Sequence, residues 1–312
     1  MNQKSSIVIT GADLATQAIE LLQDYDLVYA GKSPQPEEVL ALCKKHNPIA
    51  ILLRYGKVSA EMMDAAPALR VISKHGSGTD TIDKEAASQR GIQVVAATGA
   101  NAAAVAEHAL ASLLACAKST VHLNERMHSG HWDKATFKTL ELNGKTIGLI
   151  GLGAIGLRFA KMCDAIGMRV IGFDPFTKNL PSYIQAVDLK SIWSQSDAIS
   201  LHCPLTAENK ELLNKDSLSL CKDGVIVINT ARGGLINEVD LLSAIQSNKV
   251  SMAALDSFAT EPMISGHIFQ GNKRIIMSPH VGGVTSDAYI NMGVGAAKNI
   301  LNVLSKEVAS IK

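Results

Sequence analysis

The sequence predicts an α/β protein built from two doubly wound parallel-sheet domains, one of them discontinuous along the chain. Three observations carry this expectation. Short apolar runs alternate with helical patterns over nearly the whole length. The runs are continuous stretches of Val, Ile and Leu rather than alternating ones, which suits strands covered by helices on both faces. The chain has 312 residues, long for one hydrophobic core and comfortable for two.

In the first part the expected strands are Ser6–Thr10, Leu27–Ala30, Ile49–Arg54, Arg70–Lys74 and Gln93–Ala97. In the second they are Thr146–Gly151, Arg169–Asp174, Asp197–Cys203, Val225–Thr230, Ser251–Asp256 and Arg274–Ser278. A glycine-containing turn near Gly99-Ala100-Asn101 marks the boundary and leads into an Ala-rich helix, Ala102 to Ala117. After His280 come Gly282-Gly283 and a helical stretch from about Ser286 to Ser305, expected to return to the first domain. The domains would then be 1–100 plus 285–312, and 101–284. Two covalent crossings suit a hinge that closes over a ligand.

Composition narrows the partners. Hydrophobic residues make up 47% and charged residues 19%, with a net charge of +1 and no basic block or acidic tail. Nucleic acid and anionic membrane are therefore not expected as main partners. The five cysteines are scattered and form no C-x-x-C pair, which argues against disulfides or structural zinc and for a reducing compartment. No metal is expected. The start, Met1-Asn2-Gln3-Lys4, runs straight into an apolar strand, so no signal peptide and a cytoplasmic location are expected. The Ala102–Ala117 helix, carrying Glu107 and His108, is too short and polar to span a bilayer.

The sharpest local signal is Thr146-Ile-Gly-Leu-Ile-Gly151-Leu-Gly153-Ala-Ile-Gly156, an apolar strand running into G-x-G-x-x-G before a helical pattern. Gly151 allows the tight turn, Gly153 lets backbone approach a pyrophosphate, and Gly156 lets helix and strand pack closely. The helix N-terminus offers N–H groups and positive dipole to phosphates. The next strand ends at Asp174, 23 residues after Gly151, where an acid accepts hydrogen bonds from ribose hydroxyls and repels a 2′-phosphate. NAD is thus expected rather than NADP, in a Rossmann-like domain. Asp174 also suits capping a turn before Pro175.

Three later segments each leave a polar residue past the C-terminal end of an expected strand, the edge where open α/β sheets bind ligands. They are Asn229-Thr230-Ala231-Arg232-Gly233-Gly234, Leu255-Asp256 through Glu261-Pro262, and Ser278-Pro279-His280-Val281-Gly282-Gly283. Together they form a working set for carbonyl reduction. Arg232 can hold a carboxylate in a bidentate fork and polarise the neighbouring carbonyl. His280 can exchange a proton with the alkoxide oxygen. Glu261 can orient the imidazole and favour its protonated form. Taken singly, each has a plainer reading as a surface, turn or loop residue.

With these segments in order, the chain resembles the D-isomer-specific 2-hydroxyacid dehydrogenase family, in particular its phosphoglycerate dehydrogenase-like branch. The resemblance also rests on Asn101-x-x-x-Val105-Ala106-Glu107-His108, Gly130-His131-Trp132, Glu141-Leu142-x-Gly144-Lys145-Thr146 and Leu201-His202-Cys203-Pro204-Leu205-Thr206. It implies Arg232, Glu261 and His280 as the catalytic triad, in an NAD-dependent oxidoreductase acting between a small D-2-hydroxy acid and its 2-oxo acid. It implies backbone contacts from Ala154 and Ile155 to the pyrophosphate, and a nicotinamide contact for Asp256. Val105, His202, Pro204, Thr230 and Ala231 would line the cofactor cleft. In the first domain, the Lys74–Asp80 loop, with Ser77 and Gly78, would receive the substrate carboxylate, and Arg54 would bind substrate.

Departures from the family pattern bear on substrate. Thr81 stands where the family often has Asn, and Tyr55 where phosphoglycerate dehydrogenases often have Ser after the arginine. The bulkier Tyr55 weighs against phosphoglycerate; Arg54 with Lys134 would favour a second anionic group. A hydroxypyruvate or glyoxylate reductase is the alternative enzyme, and an NAD-sensing binding protein without catalysis the alternative class. The chain ends at Lys312, so serine feedback through a C-terminal regulatory domain is not expected. The segment 101–145, with Trp132 as an aromatic anchor, is expected to form a homodimer contact. Whether Lys134 reaches the substrate stays open.

Overall fold

A computed structural model describes residues 4–310, so the extreme ends of the expected first domain, 1–3 and 311–312, lie outside the described residues. The chain divides into two compact units. Residues up to Asn101 join those from Val284 onward, and Ala102–Gly283 form the second unit.

The first unit holds a sheet of β1 (Ser6–Ile9), β2 (Asp26–Tyr29), β3 (Ala50–Leu53), β4 (Val71–Lys74) and β5 (Gln93–Ala96). The order is β2-β1-β3-β4-β5 and every pairing is parallel. The sheet is covered on both faces, as its unbroken apolar strands require. Ile7 and Ile9 pack with Leu52, Val71 and the helical residues Ala296, Ala297 and Ile300. Val8 packs the opposite way, with Ile51, Leu53, Ile72, Met62 and Met63. The helix Ser286–Ser310 is tied to the sheet by Ser73 Oγ donating to the Ala296 carbonyl and Asn299 Nδ2 donating to the Ala96 carbonyl, both at 2.9 Å.

The second unit holds β6 (Thr146–Ile150), β7 (Arg169–Phe173), β8 (Ile184–Ala186), β9 (Ala198–Leu201), β10 (Val225–Asn229), β11 (Val250–Leu255) and β12 (Ile275–Met277). The order is β12-β11-β10-β9-β6-β7-β8, again all parallel. One face carries Ile199, Leu201, Val227 and Phe269, the other Ile147, Leu149, Ile228 and Phe159. Each fully buried side chain of this kind contributes about 1.5–3 kcal/mol relative to exposure. In both sheets the order reverses beside the first strand of the unit, between β1 and β3 and between β6 and β9. These reversals open the crevices where doubly wound sheets place ligands.

Two elements were not anticipated. β8 is a three-residue edge strand with only Ile184 buried, too short and too polar to produce an apolar run. The helix Thr120–His128 lies in the stretch expected to form a dimer contact, where no element was assigned; it fully buries no side chain, so no periodic stripe announces it. No helix among the described residues is long and apolar enough to cross a membrane.

Candidate active site

The glycine turn after β6 is built by contact. Gly151 sits at φ +97° with its α-carbon against the His202 backbone; an added Cβ would lie 2.6 Å from the His202 carbonyl carbon. A Cβ on Gly156 would lie 2.1 Å from the Gly151 carbonyl oxygen. Both glycines are required by these approaches, which pull β6, β9 and the helix Ala154–Ala165 together. Gly153 is different. It is exposed, and a Cβ there would meet nothing within 4 Å. It is the N-cap of the helix, and no side chain caps the backbone N–H groups at the helix start. Ala154 is also exposed and Ile155 half-buried.

Asp174 follows β7 and is tied into this turn. Its Oδ2 accepts from Leu152 N at 2.8 Å, and its Oδ1 accepts from Phe176 N at 2.8 Å and Thr177 N at 3.1 Å. Burial raises its pKa, but these N–H donors outweigh burial and leave it below the ordinary carboxylate value. The residue therefore caps the turn before Pro175 and also braces the glycine loop. His202, after β9, pairs Nε2 with Ser200 Oγ at 2.9 Å, while its Nδ1 is buried with no hydrogen-bond partner. Burial pushes its pKa down to about 4, so the ring is neutral near pH 7. Pro204 is exposed, Ala231 half-buried, and Val105 buried in the helix Ala102–Lys118. Thr230 Oγ1, just past β10, is another buried polar atom without a partner.

These features fit a dinucleotide. The uncapped helix start, the open space over Gly153 and the two orphaned polar atoms at adjacent strand ends are what a phosphate-bearing ligand would complete.

The Arg, Glu and His segments are locked to one another. Buried Asn229 clamps the Arg232 loop: its Nδ2 donates to the Arg232 carbonyl at 2.9 Å, and its Oδ1 accepts from Ala231 N at 3.0 Å. Gly233 presses on the next loop so closely that a Cβ would fall 1.9 Å from the Phe258 carbonyl carbon. That loop presents Glu261, whose Oε1 accepts from Phe258 N at 2.9 Å and whose Oε2 lies 2.7 Å from His280 Nδ1. His280 sits at φ +55°, a left-handed conformation uncommon for a residue with a side chain. Asp256, 2% exposed, holds it there. Asp256 Oδ1 accepts from Ser278 Oγ at 2.6 Å and Val281 N at 2.9 Å, and its Oδ2 accepts from Gly282 N at 2.8 Å. His108 Nε2 completes the group, 3.1 Å from Ser278 Oγ.

The matching family model is the D-isomer specific 2-hydroxyacid dehydrogenase, NAD binding domain, over residues 110–282. The chain belongs to the D-isomer specific 2-hydroxyacid dehydrogenase family. It is 36% identical over 300 residues to the D-3-phosphoglycerate dehydrogenase of Archaeoglobus fulgidus, covering 95% of this chain but 57% of that protein. The chain thus spans little more than half the length of that relative. It is 38% identical over 250 residues to a hydroxypyruvate reductase of Thermotoga maritima, covering 80% of this chain and 82% of that one. Among solved structures, the TT0316 protein from Thermus thermophilus superposes with a TM-score of 0.88 at 31% identity, covering 96% and 97% of the two chains.

The residues that match the family's NAD binding domain, 110–282, lie within the second unit. Within it, sequence reasoning passed over Asn229, Ser278, Ser200 and the pairing role of His108. Asn229 lay inside a quoted segment, but a buried clamp has no motif of its own. Asp256 was expected at the nicotinamide; its hydrogen bonds go to the His280 loop.

In the first unit, Arg54 follows β3 and its side chain is largely buried. Its guanidinium pairs through Nη1 with the Asp13 carboxylate and carbonyl, and lies over the rings of Tyr55 and Tyr289 at 5.2 and 5.0 Å. Ser77 is exposed, with Oγ 3.3 Å from Asn101 Oδ1, and Gly78 is half-buried. Lys134 and Trp132 are exposed, Trp132 at 76%. Among the described residues no group of three or more His, Cys, Asp or Glu could hold a metal.

Proposed function

We propose that this chain is an NAD-dependent dehydrogenase that interconverts a small D-2-hydroxy acid and its 2-oxo acid. The observation that carries this reading is the His280–Glu261 pair at 2.7 Å, presented beside the Arg232 loop by the Gly233–Phe258 contact. Glu261 engages Nδ1, which assigns Nε2 to the substrate oxygen. In the reducing direction His280 donates its proton there as the alkoxide forms; in the oxidising direction it takes the proton back. Arg232 binds the substrate carboxylate and draws electron density from the adjacent carbonyl. NAD, when bound, supplies or accepts the hydride.

Gly151, Gly153, Ala154, Ile155 and Gly156 would hold the pyrophosphate through backbone. Asp174 retains acceptor lone pairs for ribose hydroxyls and would disfavour a 2′-phosphate. Val105, His202, Pro204, Thr230, Ala231 and Asp256 would enclose the cofactor. Arg54, Ser77 and Gly78 would contribute to substrate binding from the first unit. The domain roles follow: substrate binding for 1–100 plus 285–312, NAD binding for 101–284. The exposed Val121, Met127 and Trp132 support a homodimer through the 101–145 region, and the chain's composition supports a cytoplasmic location.

The test is NADH consumption by purified protein against a panel of 2-oxo acids, with Arg232→Ala and His280→Ala as controls. Turnover of one acid, lost in both variants, is the expected result. Tight NADH binding without turnover of any acid would favour a cofactor-sensing protein instead.

A further inference from the structure

The crevice between β1 and β3 of the first unit holds Arg54, proposed above to bind substrate, against a carboxylate to which that reading gives no role. Asp13 follows β1 and Arg54 follows β3, so the two meet at the point where the strand order of the five-stranded sheet reverses. The arginine is fixed before any ligand arrives. Thr10 Oγ1 accepts from Arg54 N at 2.9 Å, Lys74 Nζ donates to the Arg54 carbonyl at 2.9 Å, and two tyrosine rings flank the guanidinium. Asp13 is fixed as well. Tyr289 OH donates to its Oδ1 at 2.9 Å.

We infer that Asp13 is a specificity residue: by occupying Arg54 with its carboxylate, it selects 2-hydroxy and 2-oxo acids whose tail is uncharged and rejects those carrying a phosphate ester. This rests on the dehydrogenase reading and names the substrate class within it. An arginine that is to receive a phosphate offers its fork unpaired. Here Nη1 is already spent on the Asp13 carboxylate and carbonyl, and 69% of the Asp13 side chain faces solvent, where an incoming ligand would meet it. A phosphate ester brings roughly 1.5–2 negative charges at neutral pH and would be placed against that carboxylate. A hydroxyl or other neutral acceptor can still take the remaining guanidinium N–H groups. The other cation of the crevice is Lys74; His75, buried and pushed down to about 4, adds no charge near pH 7. The Asp13 carboxyl, for its part, is held below its ordinary pKa by Arg54 first and Tyr289 second, so it stays an anion across the neutral range. Tyr55, 52% exposed, adds bulk beside the arginine.

The test compares hydroxypyruvate with its phosphate ester, reading kcat/KM for each in the wild type, Asp13→Asn and Asp13→Ser. The expected result is a wild-type preference for the unphosphorylated acid. Both variants should move the ratio toward the ester by roughly tenfold or more, chiefly through its KM. A wild-type preference for the ester, or a ratio unmoved in both variants, would overturn the inference. Turnover of neither acid, with none on the wider panel of 2-oxo acids, would overturn the dehydrogenase reading alone. Calorimetric binding of 3-phosphoglycerate then decides the inference separately: tighter binding in the variants upholds it, and equal binding in all three proteins rejects it.

Discussion

The strand ends of the two sheets are finished in different ways. In the seven-stranded unit, buried side chains hold the loops through backbone groups: Asn229 and Asp256 are 0% and 2% exposed, and their bonds go largely to main-chain N–H and C=O. In the five-stranded unit, buried Thr10 grips the Arg54 and Tyr55 backbone in the same way, but beyond it side chains hold one another. Asp13, Arg54, Tyr55 and Tyr289 form an ionic and aromatic cluster whose outer members face solvent. On the function proposed above, the difference separates two tasks. Chemistry needs fixed positions, and buried clamps supply them because an orphaned polar group inside the protein costs about 1–3 kcal/mol. Substrate choice tolerates variation, and an exposed cluster can change one member without unsettling the sheet beneath.

The largest expected effect comes from removing the proposed proton carrier. His280→Ala should lower kcat by roughly 10²–10⁴-fold while leaving NADH affinity near the wild-type value, as measured by steady-state kinetics and cofactor fluorescence. Retained turnover would remove His280 from the mechanism.

Next are the clamps. Gly233→Ala forces a Cβ into the Phe258 backbone, so the loops must separate; a stability loss of about 1–3 kcal/mol and a fall in kcat are expected. Asp256→Asn replaces one acceptor oxygen with a donor facing N–H or O–H groups, which should free the His280 loop. Faster hydrogen exchange at Val281 and Gly282, with reduced kcat, is the expected signature. Asp13→Asn, in the other unit, should change neither the melting temperature nor the exchange of its neighbouring strands.

A smaller effect concerns Asp174. Asp174→Ala should weaken NADH about tenfold and narrow the preference over NADPH, read from the two KM values. Its linkage to pH has a defined sign. The folded-state pKa lies below the unfolded value, so Asp174 contributes stability above about pH 4 and loses it as pH falls through the depressed folded value. The melting temperature of Asp174→Asn should therefore fall less steeply on acidification than that of the wild type.

Much of this molecule was legible in its residues, for identifiable reasons. Apart from the edge strand β8, the strands of the seven-stranded sheet announce themselves because a sheet covered on both faces needs unbroken apolar runs, and Gly151 and Gly156 because their contacts admit no Cβ. The Arg232, Glu261 and His280 segments stand out by following strands. What escaped reading is what depends on distance in space. Ser278 and His108 are 170 residues apart and meet at Asp256. Asp13 meets Arg54 and Tyr289 across 41 and 276 residues, and nothing in a Gly-Ala-Asp turn foretells either partner. The solvent-exposed helix Thr120–His128 was hidden for the opposite reason, since it buries nothing.

Hydride transfer coupled to His280 is the step on which the proposed function rests. The most direct measurement follows deuterium from NADH labelled at the nicotinamide C4 into the 2-hydroxy acid product. Label at C2 of a product of D configuration, formed by the wild type and absent with His280→Ala, is the expected result. Unlabelled product, label in the L isomer, or undiminished transfer by His280→Ala would contradict it.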